Sequence, residues 1–386
     1  MYIDELKRLE STKRPIKIGL VGLGAMGKGI AYNVCHTPGM KLAMVGDINE
    51  ERIKETKALL PEFDFETAEC LEVAESNIDI FIEASSSIED GYLYSRAAIE
   101  SGNDLLLMNG EVDCFFGPEL FELAKEKNVV YSSTDGDQYG VLIKMIEETD
   151  LMGLRTIMIG NIKGFLNRYA TPDSIIEEAR IRNLDPQMCV TYTDGTKLAI
   201  EMAILSNATG SVPYKGRMEG PKMKDVHEVL KYYDFAAISK EPCVEYILGA
   251  EPNGGVFTVV ECHNDYQRSM LKYYKMGDGP YYLMYRPYHL CHLETVFSIC
   301  RVYLDRKPLM APYAGRVSNV MAVAKRDLNP GDKLDQPGQF TVYGEVALQS
   351  DIDTNEWIVI NDVDGMVVKN RIAKDSPICL DDLNED

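Results

Sequence analysis

Residues 16–27 read IKIGLVGLGAMG: an apolar run, glycines at 22, 24 and 27, and the first of the helix formers that continue over 25–36 until Thr37-Pro38-Gly39 stops them. The spacing predicts a strand, a tight turn and a helix. Residues 41–47 (KLAMVGD) predict a second strand closing on Asp47, twenty residues past Gly27. In such a unit the first glycine permits the sharp turn and the second lets backbone approach a pyrophosphate. The third lets helix and strand pack closely, while the helix N-terminus offers free amides to the anion. Gly22, Gly24, Ala25, Met26 and Gly27 are therefore candidate contacts to a dinucleotide, and Asp47 to its adenosine ribose. A carboxylate there accepts ribose hydroxyls and repels a 2′-phosphate, which favours NAD; Arg52, a turn further on, keeps NADP open.

Working outward, 49–59 predicts a charged surface helix capped by Asn49. Strand-like runs at 78–84, 104–108 and 128–132 alternate with helical stretches at 89–101 and 118–127. This alternation implies βαβ units and a doubly wound parallel sheet, a Rossmann arrangement, over residues 1–150. The texture then changes. Strand-like runs at 155–162 and 255–262 bracket a helix candidate from Gly195 to Asn207 and a Gly/Pro/Lys-rich loop at 210–224, so a second α/β domain is expected over 151–308. Its last helix, near 289–305, is one that can return to the first domain. Short strands and turns follow, and a small, acidic, β-rich domain is expected over 309–386.

The length of 386 residues agrees with two or three domains. Hydrophobic content of 45% supplies a core, and the net charge of −21 creates a field that repels nucleic acid and anionic membrane surfaces. Nine cysteines with no Cys-x-x-Cys pair indicate neither a disulfide framework nor a structural zinc site. No apolar stretch is long enough to span a membrane, and the start is unlike a signal peptide, so a cytoplasmic chain is expected.

Strand ends in a doubly wound sheet face the nicotinamide, which makes Ser85, Ser86 and Asn109 candidate cofactor contacts; helix capping is the alternative role for these polar loop residues. For substrate chemistry the second domain offers Lys163 and Lys197, with Glu201 four residues after Lys197 on the same helical face. The flanking residues are apolar, and a charge in such company is paired or used; the competing reading is a surface ion pair. A buried lysine can exchange its proton with a hydroxyl becoming a carbonyl. Arg286 and His289, in the cluster Tyr285-Arg-Pro-Tyr-His289, suit capture of a phosphate or carboxylate and movement of a proton, or else domain packing. Asp135 and Asp137 can hold a divalent ion through oxygen ligands, but a turn explains them better, and no metal ligand is assigned.

Five stretches, GLVGLGAMGKGI (19–30), STDGDQYG (133–140), DGTKLAIEMAILSNATG (194–210), YRPYHLCHLET (285–295) and AVAKRDLNPGDKLD (322–335), carry a resemblance to the homoserine dehydrogenase-like oxidoreductases that append a SAF domain. The resemblance implies a β-clip module at the C-terminus. It also implies cofactor on Gly22, Gly24, Gly27 and Asp47, and substrate near Lys163, Lys197, Arg286 and His289. One branch of that family looks like a reductoisomerase of 1-deoxy-D-xylulose 5-phosphate, using NADPH and usually a divalent metal. The carboxylate cluster that binds metal in ordinary reductoisomerases has no clear counterpart here.

The expectation is an NAD(P)-dependent oxidoreductase, a homo-oligomer, acting on a small anionic hydroxy or carbonyl compound in a cleft between the first two domains. Arg286 would hold the anion, Lys197 or Lys163 would exchange the proton, and Glu201 and His289 would tune them. The alternatives are an isomerising reduction of a sugar phosphate, and a nucleotide-binding redox sensor or assembly subunit without turnover.

Overall fold

The apolar run around Leu20 becomes a strand buried along its length except at Lys17. The structure, a computed structural model, describes residues 1–182 and 185–384; residues 385 and 386, the end of the expected third domain, lie outside them. In chain order the first elements are α1 (Tyr2–Ser11), β1 (Ile16–Val21), α2 (Ala25–His36), β2 (Met40–Gly46), α3 (Glu50–Leu59), β3 (Glu66–Thr67), α4 (Cys70–Glu75), β4 (Ile80–Glu83), α5 (Ile88–Glu100), β5 (Asp104–Leu107), α6 (Gly110–Lys127) and β6 (Tyr131–Ser133). All six strands are parallel, in the order β3-β2-β1-β4-β5-β6. The order reverses between β1 and β4, which opens a crevice at their carboxyl ends. Alternate side chains feed two cores: Ile18, Leu20, Ile80 and Ile82 on one face, Val21, Phe81, Leu105 and Leu107 on the other. The parallel, doubly wound sheet expected from the alternation is therefore present.

One helix begins earlier than its pattern predicts. The stretch expected at 118–127 is the second half of α6, which starts at Gly110 and carries Pro118 inside it. Asn109 caps it by accepting the Val112 N–H at 3.3 Å, and burial of Val112, Phe115 and Leu120 outweighs the hydrogen bond that the proline forfeits.

The chain continues through α7 (Gln138–Leu151), β7 (Arg155–Lys163), α8 (Ile176–Arg182), α9 (Pro186–Asp194), α10 (Thr196–Thr209), β8 (Val212–Pro213), α11 (Val229–Tyr232), α12 (Phe235–Ile238), β9 (Cys243–Leu248), β10 (Val256–Glu261), α13 (Asp265–Tyr273), β11 (Tyr281–Arg286), α14 (Cys291–Asp305), β12 (Ser318–Ala324), β13 (Val342–Leu348) and α15 (Gln349–Asn355). It forms two compact units: Met1–Lys144 with His289–Pro312, and Met145–Tyr288 with Tyr313–Asp386. The first therefore includes α14, which packs on α2, and the second joins a five-stranded mixed sheet, β11-β10-β7-β9-β8, to the antiparallel pair β12-β13.

Helix α10 is the centre of the second unit. Every residue from Thr196 to Asn207 is buried, because the helix has β9 on one side and β12 and β13 on the other. Its start is tied down by polar contacts. Asp194 accepts the Thr196 N–H at 2.9 Å, and the Thr196 hydroxyl accepts the Gly344 N–H at 2.9 Å. Lys325 reaches Asp194 at 3.0 Å and donates to the carbonyls of Ala170 and Gln339, so all three ammonium protons are used in a buried setting.

Glu83, the last residue of β4, is wholly buried; its Oε1 accepts the Ser85 N–H at 2.8 Å. Burial pushes its carboxyl up to about 7, against the downward pull of Ser85 and Asn109.

Two predictions follow from these buried charges. A carboxyl raised on folding contributes stability that is complete below its unfolded pKa of about 4.3 and is lost as pH rises through the folded value. Denaturant unfolding should therefore show the native chain losing about 3 kcal/mol relative to Glu83→Gln between about pH 4 and about pH 8. Lys325→Met leaves Asp194 buried without its partner and should cost about 3–5 kcal/mol, with Asp194→Asn in the same chain restoring a substantial part.

Candidate active site

Three glycines shape the turn between β1 and α2 in three different ways. Gly22 has φ 88°, and a Cβ on it would lie 2.4 Å from the carbonyl carbon of Ala84. A Cβ on Gly27 would fall 1.7 Å from the Gly22 carbonyl oxygen, so helix and turn touch backbone to backbone. Gly24, at the N-cap of α2, is the opposite case: a Cβ there meets nothing within 4 Å. The first turn of α2 holds no acidic residue, and Ala25 and Met26 are exposed, so its amide end faces open space. The residues present fit the diphosphate of a dinucleotide, an anion that the N–H groups and the helix dipole both favour.

Asp47 follows β2, and its side chain is only 2% exposed. One carboxylate oxygen accepts the Leu23 N–H at 2.6 Å and the other the Asn49 N–H at 2.8 Å; Arg52 stands 3.9 Å away. Asp47 thus braces the glycine turn, and each oxygen keeps a lone pair with which to receive a ribose hydroxyl. Around the next strand ends, Ser85 binds Glu83 through its backbone, Ser86 is exposed, and Ser87 caps α5 by accepting the Asp90 N–H at 3.2 Å. Asn109 is buried. Besides capping α6 it donates to the Ser87 carbonyl at 3.1 Å, which joins the turns after β4 and β5.

In the second unit, strand register gathers several candidates at one end of the sheet. Asn161 of β7 pairs with Val256 of β10, and Val256 pairs with Arg286 of β11, so Arg286 and Lys163 both lie at the end where β7 finishes. Helix α10 leads into β8, which pairs with β9 opposite the Met158 end, so the N-terminal turns of α10 belong to the Lys163 end. Glu201 confirms the placement, accepting from the Asn161 side-chain amide at 3.4 Å. Lys197 and Glu201 are 8% and 2% exposed, which rules out the surface ion pair. Arg286 lies over the Tyr288 ring at 4.6 Å. His289, adjacent in sequence, is half-buried and belongs to the first unit.

Sequence reasoning missed a second basic feature of this unit. A small crevice beside Gly195 and Leu198 is lined by Arg168, Arg217, Tyr246 and Glu345. Both guanidinium groups converge on Glu345, Arg168 in direct contact and Arg217 at 3.5 Å. Burial works against the Arg168 charge, but Glu345, Tyr246 and Tyr343 outweigh it and hold its pKa above the usual value. The positions of Arg168 and Arg217 in loops carry no periodic signal; only the fold brings them together. Nearby, Glu245 accepts N–H groups of Glu219, Gly220 and Tyr246, yet burial still pushes it up to about 7.

Residues 136–295 match the family model for the catalytic domain of oxidoreductase DRL, and residues 319–384 match the SAF domain. The chain is similar to homoserine dehydrogenase of Neisseria gonorrhoeae, 26% identical over 177 residues that cover 43% of this chain and 39% of that one. It is also similar to homoserine dehydrogenase of Bacillus subtilis, 22% identical over 233 residues, 56% of this chain and 53% of that one. It therefore spans about half or less of the length of these relatives. A probable dehydrogenase from Thermotoga maritima aligns with a TM-score of 0.47 at 14% identity, covering 78% of this chain and 92% of that one. Residues 136–295 and 319–384 thus match, in that order, an oxidoreductase DRL catalytic domain and a SAF domain, the combination the chain's motifs resemble.

Proposed function

We propose that the chain transfers a hydride between NAD or NADP and a small anionic hydroxy or carbonyl compound. The observation that carries this reading is the open space above Gly24, bounded by two glycines whose Cβ positions are blocked by backbone. A turn that served only to connect β1 and α2 has no need of a bare backbone facing solvent. When bound, the nicotinamide supplies the hydride chemistry at C4. The amides of Gly24, Ala25 and Met26 would bind the diphosphate. Asp47 would receive the ribose and weigh toward NAD, since a 2′-phosphate would meet its charge.

The second unit would supply the groups that handle substrate. Arg286 would hold a carboxylate or phosphate bidentately, whereas Arg168 and Arg217 are already paired with Glu345. Lys197 or Lys163 would give or take the proton of the reacting oxygen as carbonyl and hydroxyl interconvert. Glu201, oriented by Asn161, would set the charge beside Lys197. A second reading is the isomerising reduction of a sugar phosphate, which the resemblance of the chain's motifs implies; the match of residues 136–295 to an oxidoreductase catalytic domain is compatible with both. Product analysis by NMR with a pentulose phosphate and NADPH distinguishes them, because simple reduction leaves the carbon chain unbranched.

Calorimetry with NADH and NADPH tests the cofactor reading, and a tighter NADH constant is expected. Gly24→Ala adds a Cβ that meets nothing within 4 Å and should leave the fold intact with only a small drop in melting temperature, while weakening NADH at least about tenfold. Equal affinity in the two proteins would sink the assignment. Lys197→Ala should lower turnover about a hundredfold or more while sparing NADH affinity. A loss under about threefold removes Lys197 from the proton-exchanging groups.

A further inference from the structure

The turn after β6 meets the start of α14 at close quarters inside the first unit. Gly136 has φ 89°, and a Cβ on it would lie 2.3 Å from the Cys291 carbonyl oxygen and 2.8 Å from that of Leu290. A direct hydrogen bond and a lysine bridge hold the two segments in this position, and a further bond fixes the start of α14 itself. Ser298 Oγ accepts the Asp135 N–H at 2.6 Å, and Glu294 accepts the Leu290 N–H at 3.2 Å. Lys144 joins the halves, reaching Asp135 at 2.9 Å and Glu294 at 3.3 Å. Asp135, one of the two carboxylates considered for a divalent ion, is thus committed to Lys144.

Three other side chains are left facing one another across this junction. Asp137, His289 and Cys291 are half-buried, and a carboxylate oxygen, an imidazole nitrogen and the sulfur all lie within 4.8 Å of one another. Tetrahedral zinc with bonds of about 2.0–2.3 Å places its ligand atoms about 3.3–3.8 Å apart, a spacing close to that of the three donors here. Three carboxylates, of Asp135, Asp137 and Glu294, stand here against the one ammonium of Lys144, a local field that draws a cation. We propose that Asp137, His289 and Cys291 form a binding site for a divalent transition ion of the zinc class. The nitrogen and sulfur donors select against magnesium and calcium, which prefer oxygen throughout. Three protein ligands leave a fourth position for water or for the oxygen of a hydroxy or carbonyl compound.

Asp137 is distant in sequence from His289 and Cys291, which stand two residues apart, and Gly136 lets its turn approach α14 closely enough to meet them. The site does not depend on the dinucleotide reading, since ion binding is measured without turnover. The full-length protein, stripped with a chelator and kept reduced, would be titrated with Co²⁺. One equivalent should bind with a thiolate-to-cobalt charge-transfer band in the near ultraviolet, and Zn²⁺ but not Mg²⁺ should displace it. Cys291→Ser should lose the band. His289→Ala should weaken Co²⁺ at least about a hundredfold, more than the loss of an outer-shell partner costs. His289→Ala and Asp137→Asn keep the test decisive should Cys291→Ser fail to fold. Absence of the band in the native chain, its survival in Cys291→Ser, or unchanged affinity in the other two variants would overturn the site.

Discussion

Between Gly27 and the carbonyl oxygen of Gly22 there is no room for a single extra carbon. That contact lets α2 descend directly onto the end of β1, and much of the first unit is arranged around it. Because the helix begins so close to the strand, its amide end opens over Gly24 rather than being buried under side chains. Asp47 then folds onto the Leu23 N–H and secures the turn from the side of β2. On the other flank, Ala84 and Ser85 press against Gly22, and Ser85 is held in turn by the buried Glu83. A cradle for an anion is produced by backbone geometry, with carboxylates behind it bracing the backbone.

The second unit solves a different problem. A helix buried on all sides must satisfy its charges internally, and α10 carries Lys197 and Glu201 where a helix of this kind ordinarily carries only apolar residues. Asn161 meets Glu201 from the sheet, while Lys325, Asp194 and Thr196 fasten the start of the helix to the SAF strands. The SAF module thereby forms one wall of the packing around α10, and its Glu345 occupies the pair of guanidinium groups beside the helix start. Its place in the molecule is structural as well as peripheral to the sheet.

The parallel sheet was legible because its signals are local. Apolar runs of strand length, glycines at turn spacing and an acid at the end of the second strand each follow from contacts within a few residues or one βαβ unit. Where local and tertiary preferences disagree, the pattern misleads. Pro118 marks a helix start in sequence but lies inside α6, because the buried residues before it stabilise the longer helix. The strands β8, β9 and β11 carry no clear strand pattern for a related reason: short or aromatic-rich segments acquire strand character from the partners beside them.

By itself, then, the sequence determined the doubly wound sheet, the glycine turn and the β-rich end, since these depend on hydrophobic period and backbone freedom, properties each segment carries alone. Tertiary structure alone decided that Lys197 and Glu201 are buried, that Arg168 and Arg217 share Glu345, and that Asp137 meets His289 and Cys291. Such encounters join residues many positions apart, and their energy comes from desolvation and charge pairing that exist only once the chain has closed around them.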